Sequence, residues 1–272
     1  MNPSLHIRPP AVAGMFYPAD AEELAQDVRS YLAAAPVTQT PAPKALIVPH
    51  AGYIYSGAVA ARAYALLAPA RATIRRVVLL GPVHRVPIRG LALPVAEAFA
   101  TPLGGVRIDA EGAAAALKLP QVSASDVAHN LEHSLEVQLP FLQSVLDDFT
   151  LLPFAVGAAT PAQVAEVLDL LWGGPETLIL ISSDLSHFHT YASAQGIDQG
   201  TAGEILAFEP SIDHQQACGA TPINGLLLTA RRRGMKIDLL DLRNSGDTAG
   251  DRARVVGYAS FALREGKSHA EH

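Results

Sequence analysis

Residues 177–187 read TLILISSDLSH. Five apolar or β-branched residues run directly into polar ones, which is typical of a buried strand that ends in a polar loop. Three further stretches repeat the pattern: KALIV at 44–48 precedes PHAGY, RRVVLL at 75–80 precedes GPVH, and IDLLDLR at 237–243 precedes NSGD. These four strands, each followed by a histidine or an aspartate, indicate a sheet with one polar edge.

Predicted helices separate the strands. Asp20 and Glu23 have capping-box spacing and predict a helix to about residue 35, and Thr160-Pro161 and Thr221-Pro222 begin two more. The patterns also predict helices at 57–68 and at 133–148, the latter interrupted by a proline, and strands at 150–156, 235–242 and 254–263.

Apolar strands between helices predict a sheet that is covered on both faces. The expected fold class is α/β, as a single three-layer α/β/α domain with a mostly parallel sheet. The last two strands are joined without a helix, which leaves room for an antiparallel, mixed part. The 272 residues suit one such domain over 1–272, because the proline-rich stretch 36–43 is too short to separate domains. The tail 264–272 is expected to be frayed.

Composition excludes several classes of protein. Hydrophobic residues make up 49% and charged residues 17%, which rules out an intrinsically disordered chain. A net charge of −6 argues against nucleic-acid binding. No run of 18 apolar residues and no signal-peptide pattern is found, so we expect a cytoplasmic protein that does not bind membranes. The single Cys218 excludes an internal disulfide. We interpret it as a small buried residue, with a nucleophile or soft metal ligand as the alternative.

The polar groups at the strand ends are the candidate site, because ligands bind at the carboxyl edge of open α/β sheets. Two imidazoles and a carboxylate suit non-haem Fe(II) and O₂ chemistry, and His50, His84 and Asp247 are the expected ligands. His187 is the expected acid/base, oriented by Asp184 one helical turn away. Zinc with three ligands and a water fits the same residue types. Each histidine alone has the simpler interpretation of a hydrogen-bonded loop residue.

A second cluster, EHSLE, lies at residues 132–136. Glu132 and Glu136 are four residues apart and share a face if the segment is helical, with His133 beside them. We interpret the cluster as groups that orient the ligating imidazoles, with a polar helix N-terminus as the alternative. Tyr53, Glu132, His133 and Ser183 are expected either to contact the substrate or to orient the ligands.

Ordered motifs over about 8–263 resemble the Memo family, whose microbial members are called AmmeMemoRadiSam system protein B. The motifs are RPPAVAGMFYP, PHAGYIYSGAVAARAY, LLGPVH, TPLG, EHSLEVQLPFL, LISSDLSHF, ACGATPI and NSGDTAGDRARVVGYASFAL. That family is structurally similar to the class III extradiol ring-cleavage dioxygenases. The resemblance implies that His50 and His84 bind metal and that His187 is the acid/base. It implies a third ligand in the NSGDT loop, where Asp247 or Thr248 would replace a cysteine of animal members.

The leading hypothesis is therefore a non-haem Fe(II) oxidoreductase that acts on a small molecule, with zinc or copper as the alternative metals. The resemblance further implies partners with Ammecr and radical SAM domains. One alternative is a binding or assembly protein that recognises a peptide or partner without turnover. A zinc hydrolase is the third hypothesis.

Overall fold

The four strands with polar carboxyl ends lie in one sheet of the computed structural model, which describes residues 5–36 and 40–266. The strands are β1 (Ile7–Arg8), β2 (Ala45–Val48), β3 (Arg76–Pro82), β4 (Leu91–Leu93), β5 (Ala98–Thr101), β6 (Gly104–Arg107), β7 (Val122–Ala124), β8 (Thr150–Val156), β9 (Thr177–Ser182), β10 (His187–His189), β11 (Lys236–Asn244) and β12 (Val255–Arg264). The helices are α1 (Ala21–Ala34), α2 (Tyr53–Tyr64), α3 (Ala110–Ala116), α4 (Asp126–His129), α5 (Leu139–Val145), α6 (Pro161–Leu171), α7 (Tyr191–Leu206) and α8 (Ala220–Arg232).

The central strands of this sheet are parallel. Within the described ranges the sheet has nine strands in the order β10-β12-β2-β9-β3-β8-β4-β7, with β11 paired to β12. Strands β2, β9, β3 and β8 are mutually parallel, whereas β12 is antiparallel to β2 and β4 is antiparallel to β8. The predicted α/β class with a mostly parallel, mixed sheet is confirmed.

Apolar residues on the two faces of the sheet belong to two separate core clusters. Leu46 and Leu180 pack with residues of α1, α2 and α5, whereas Ile47 and Ile181 pack with residues of α6 and α8. Adjacent residues of one strand point to opposite faces, so a continuous apolar run serves both helical layers. Among the described helices, none combines the length and the hydrophobicity that crossing a bilayer requires.

One helix prediction was wrong in its start, and one helix was missed, both for local reasons. The helix expected from residue 133 begins as a 3₁₀ turn at Glu136–Gln138 and continues as α5, with Pro140 in its first turn rather than in its interior. Helix α7 was not predicted, because Gly196, Gly200 and Gly203 lower the helix propensity of its sequence.

The chain ends are only partly described. Strand β12 extends to Arg264, which forms an ion pair with Asp238, so the expected frayed tail begins later than residue 264. Residues 267–272 of that tail and 37–39 of the proline-rich stretch lie outside the described residues.

The N-terminal segment secures the loop that contains His133. Arg8 is buried and forms an ion pair with Glu136 at 2.5 Å. Its guanidinium also donates to the backbone carbonyls of His129 and Glu132, at 2.8 and 2.7 Å. One buried cation therefore holds both ends of the segment 129–136.

Candidate metal centre

Three adjacent parallel strands deliver polar side chains to one edge of the sheet. His50 is the second residue after β2, His84 the second after β3, and Asp184 the second after β9. Because β9 lies between β2 and β3, the carboxyl ends of these strands converge. The predicted polar edge is present at this point.

Three imidazoles gather at the edge. Each of His50, His84 and His133 offers a nitrogen, and these three nitrogens lie within 4.8 Å of one another. The ring centroids are 5.2 Å apart for His50 and His84, and 4.6 Å apart for His84 and His133. His50 is buried and His84 is exposed, so the cluster opens to solvent on the His84 side.

Glu132 determines which ring nitrogen of His84 carries a hydrogen. Its Oε1 lies 2.9 Å from His84 Nδ1. Burial alone would raise the pKa of Glu132, but hydrogen bonds from His84 and from backbone N–H groups outweigh it and lower the pKa to about 2. An ionised carboxylate only accepts, so Nδ1 carries a hydrogen, and Nε2 is the nitrogen left to bind a metal. This carboxylate–histidine pair is the usual support for a metal ligand.

His50 is neutral and close to three further groups. Burial, followed by the nearby His133 and His84, lowers its pKa well below 6.5. Its Nδ1 lies 2.9 Å from Ser182 Oγ, and its Nε2 lies 3.3 Å from Cys218 Sγ and 4.0 Å from Asp184 Oδ2. A neutral imidazole is the form that ligates metals.

His133 has an unsatisfied nitrogen. Its Nδ1 is buried and has no hydrogen-bond partner among the described residues, with Glu132 Oε1 at 3.4 Å outside hydrogen-bond geometry. The Phe16 ring packs against the imidazole with centroids 4.7 Å apart. Burial is also the main cause that lowers its pKa. An unpartnered imidazole nitrogen beside two further imidazoles fits a bound metal ion.

Asp184 and Cys218 border the cluster. Asp184 Oδ1 accepts the backbone N–H of His50 at 2.7 Å, and burial raises the pKa of its carboxyl group. Burial, with the Asp184 charge as a second cause, raises the pKa of the Cys218 thiol to about 12. Ser183 Oγ accepts the Gly219 N–H at 2.9 Å and thereby holds the loop that contains Cys218. The sequence offered this thiol as a nucleophile or soft metal ligand only as the alternative, because its position depends on long-range contacts.

Asp247, the expected third ligand, is not brought to the cluster. It is exposed, accepts the Tyr191 hydroxyl at 2.5 Å, and caps the Asn244 N–H at 3.0 Å. Strand β11 is separated from β2 by β12, which places its end about 10 Å along the edge at the usual strand spacing. Thr248 Oγ1 donates to the Ser245 carbonyl. Among the described residues, His133 rather than a residue of this loop joins His50 and His84 in the cluster.

The remaining predicted site residues are His187 and Tyr53, which lie in different parts of the site region. His187 lies in β10, and no hydrogen bond joins it to Asp184 within the described residues. The intervening residues are not helical, so the expected helical turn between these two is absent. Tyr53 is buried and donates its hydroxyl to the Val137 carbonyl at 2.7 Å, which makes it a support of the loop after His133.

A mixed sheet with helices on both faces and three imidazoles at its polar edge defines an α/β protein with a candidate metal centre. Residues 8–262 match the model of the Memo-like protein family. MEMO1 family proteins of Methanosarcina mazei and Aquifex aeolicus are 36% and 37% identical to this chain. The first alignment covers 95% of this chain and 100% of the relative, and the second covers 93% and 98%. The chain belongs to the Memo-like family, as the motifs predicted.

A solved structure is also similar. It is that of an uncharacterized Escherichia coli K12 protein, with a TM-score of 0.50 and 13% identity. The similarity covers 79% of this chain and 98% of that one. At this level of identity the comparison concerns the fold alone.

Proposed function

We propose that the protein is an Fe(II)-dependent oxidoreductase whose metal is held by His50, His84 and His133. The observation that carries the proposal is the convergence of three imidazole nitrogens within 4.8 Å of one another. Neutral imidazoles on one side of a metal leave positions for O₂ and a substrate. When bound, the metal would supply the binding and activation of O₂.

The chain itself would orient ligands and move protons. Glu132 keeps a hydrogen on His84 Nδ1, so that Nε2 stays available. We assign proton transfer to His187, whose imidazole is partly exposed, and to the Asp184 carboxylate beside His50. The Phe16 ring excludes water from one side of His133. The substrate would approach from the exposed His84 side.

A zinc hydrolase is the second candidate. Three imidazoles without a carboxylate ligand are a known set for catalytic zinc, which activates a water in the fourth position. The three-histidine cluster favours this candidate more than the expected two-histidine-one-carboxylate set did.

Metal preference and nitric oxide binding separate these candidates. The protein is produced under iron-replete growth and purified anaerobically without chelator, and the bound metal is measured. Fe(II)-loaded protein is then exposed to nitric oxide, an O₂ analogue that gives an S = 3/2 paramagnetic signal at Fe(II) sites with open positions. We expect bound iron and this signal in the wild type and neither in His84→Ala.

Retention of zinc alone would favour the hydrolase and contradict the proposal. Bound iron without a nitric oxide signal would mean a closed site, which contradicts O₂ chemistry. That second result would favour the alternative of a binding or assembly protein, including one that works with Ammecr and radical SAM partners.

A further inference from the structure

A chain of buried hydrogen bonds runs from the core to the far side of His50. The Tyr64 hydroxyl donates to Gln138 Oε1 at 2.7 Å, and Gln138 Nε2 donates to Ser182 Oγ at 2.8 Å. Ser182 Oγ donates to the Ser134 carbonyl at 2.6 Å and also lies 2.9 Å from His50 Nδ1. All five residues of this chain of hydrogen bonds are at most 1% exposed.

The orientation of the Gln138 amide follows from its neighbours. The Pro49 carbonyl oxygen, 2.9 Å away, accepts hydrogen bonds and cannot donate them. The amide nitrogen of Gln138 must therefore face Pro49, and the same NH₂ group reaches Ser182. The amide oxygen faces Tyr64, whose hydroxyl donates to it.

The single hydroxyl hydrogen of Ser182 is then assigned by elimination. Ser182 has three partners, and the Ser134 carbonyl is the one that only accepts. The hydrogen of Ser182 goes to that carbonyl, which leaves its two lone pairs for the Gln138 amide and for His50. His50 Nδ1 must be a donor, because a lone pair there would face a lone pair of the hydroxyl.

We infer that Ser182 is a positioning residue that holds His50 in its Nδ1–H tautomer. The Nε2 lone pair then points to the side where His84 and His133 lie. The opposite tautomer places two lone pairs against each other in a buried site, which leaves both groups unpaired at a cost in free energy. The tautomer assignment stands without a metal, whereas its consequence for metal affinity rests on the proposed function.

The surroundings of Nε2 agree with this tautomer. Cys218 Sγ lies 3.3 Å from His50 Nε2, where a thiol hydrogen can be donated to a lone pair. Asp184 Oδ2 is 4.0 Å from the same nitrogen, beyond hydrogen-bond distance. The Asp184 carbonyl, 3.6 Å from Cys218 Sγ, is a second acceptor for the thiol hydrogen, so the tautomer assignment rests on the Ser182 side of the ring.

Nitrogen-15 NMR of the metal-free, histidine-labelled protein tests the inference directly. We expect His50 to show a protonated Nδ1 and an unprotonated Nε2, with assignment by loss of its signals in His50→Ala. A protonated Nε2 in the wild type would overturn the inference. This arm needs no variant at Ser182, so it holds even where Ser182→Ala fails to fold.

Ser182→Ala removes the acceptor, and we expect the His50 population to shift towards Nε2–H. The matched control is Ser260→Ala, because Ser260 is equally buried and its hydroxyl has no partner in the described part of the chain. An unchanged His50 tautomer in Ser182→Ala, with the fold intact by circular dichroism, would overturn the role of Ser182.

Zinc titration of the same proteins links the tautomer to the metal. We expect Ser182→Ala to bind Zn(II) about 10–100-fold more weakly than the wild type, and Ser260→Ala to bind it equally well. Equal affinity of Ser182→Ala and the wild type would overturn the link. Absence of zinc and iron binding in the wild type, with the tautomer as expected, would instead contradict the proposed function.

Discussion

Glu132 holds His84 through both oxygens of its carboxylate. Oε2 accepts the backbone N–H of His84 at 2.5 Å, and Oε1 lies 2.9 Å from its Nδ1. Oε1 also accepts the backbone N–H groups of His133 and Ser134, each at 2.9 Å. A single buried carboxylate therefore positions two of the three imidazoles, one by its ring and one by its backbone.

Glu132→Gln tests this arrangement with little change in volume. An amide cannot accept at both positions, so His84 loses part of its orientation and basicity. We expect metal affinity to fall about 10–100-fold in competition titrations with Zn(II). Glu166→Gln is the control, since Glu166 is exposed and accepts a hydrogen bond from Gln121 outside the cluster. Equal losses in both variants would contradict a specific role for Glu132.

The Arg8–Glu136 ion pair is expected to be essential for stability. Arg8→Met leaves a fully buried carboxylate without its cation, and we expect a loss of about 3–5 kcal/mol in the free energy of unfolding. Urea denaturation measures it. The double variant Arg8→Met/Glu136→Leu removes both charges and should lose less than the two single variants together. Additive losses would contradict coupling of the pair.

Acid pH should destabilise the protein partly through His129. Burial lowers the pKa of His129 from 6.5 to about 4 in the fold, so between these values only the unfolded state binds the proton. Its contribution to stability is present above pH 6.5 and falls by about 1.4 kcal/mol per pH unit as pH decreases to 4. We expect His129→Gln to show a correspondingly smaller slope in urea denaturation between pH 4 and 6.5. An unchanged slope would contradict the lowered pKa.

Gly81 is expected to tolerate no side chain. A Cβ there would lie 2.8 Å from Ser134 Oγ and 3.0 Å from Leu135, beside the loop of His133. We expect Gly81→Ala to cost about 1–3 kcal/mol in urea denaturation. Gly105→Ala is the control, because a Cβ at Gly105 meets no atom within 4 Å. Similar losses in the two variants would show that the crowding at Gly81 is relieved without cost.

The fold and two of the three imidazoles were predictable because their signals are local. Apolar runs that end in His50 and His84 reveal buried strands, and parallel neighbours place their ends together. The place of Asp247 was not predictable in this way. Strand β12 pairs between β11 and β2, and this order depends on which strands pair at long range rather than on any single stretch.

His133 was predicted near the substrate rather than in the imidazole cluster, and Cys218 was predicted beside a metal only as an alternative, for a related reason. The sequence places His133 in a predicted helix, whereas Glu132, Arg8 and Tyr53 hold its segment as a loop against the cluster. Cys218 reaches His50 across 168 positions of the chain, through a loop bonded to Ser183. Contacts of this kind leave no periodic pattern in the sequence.

Metal content by mass spectrometry, on protein purified anaerobically without chelator or metal-affinity resin, tests the three-histidine centre most directly. The samples are the wild type, His133→Ala and Asp247→Ala, each checked for folding by circular dichroism. We predict about one metal ion per chain in the wild type and in Asp247→Ala, and its loss in His133→Ala. Metal that persists in His133→Ala and disappears in Asp247→Ala would contradict the centre described here.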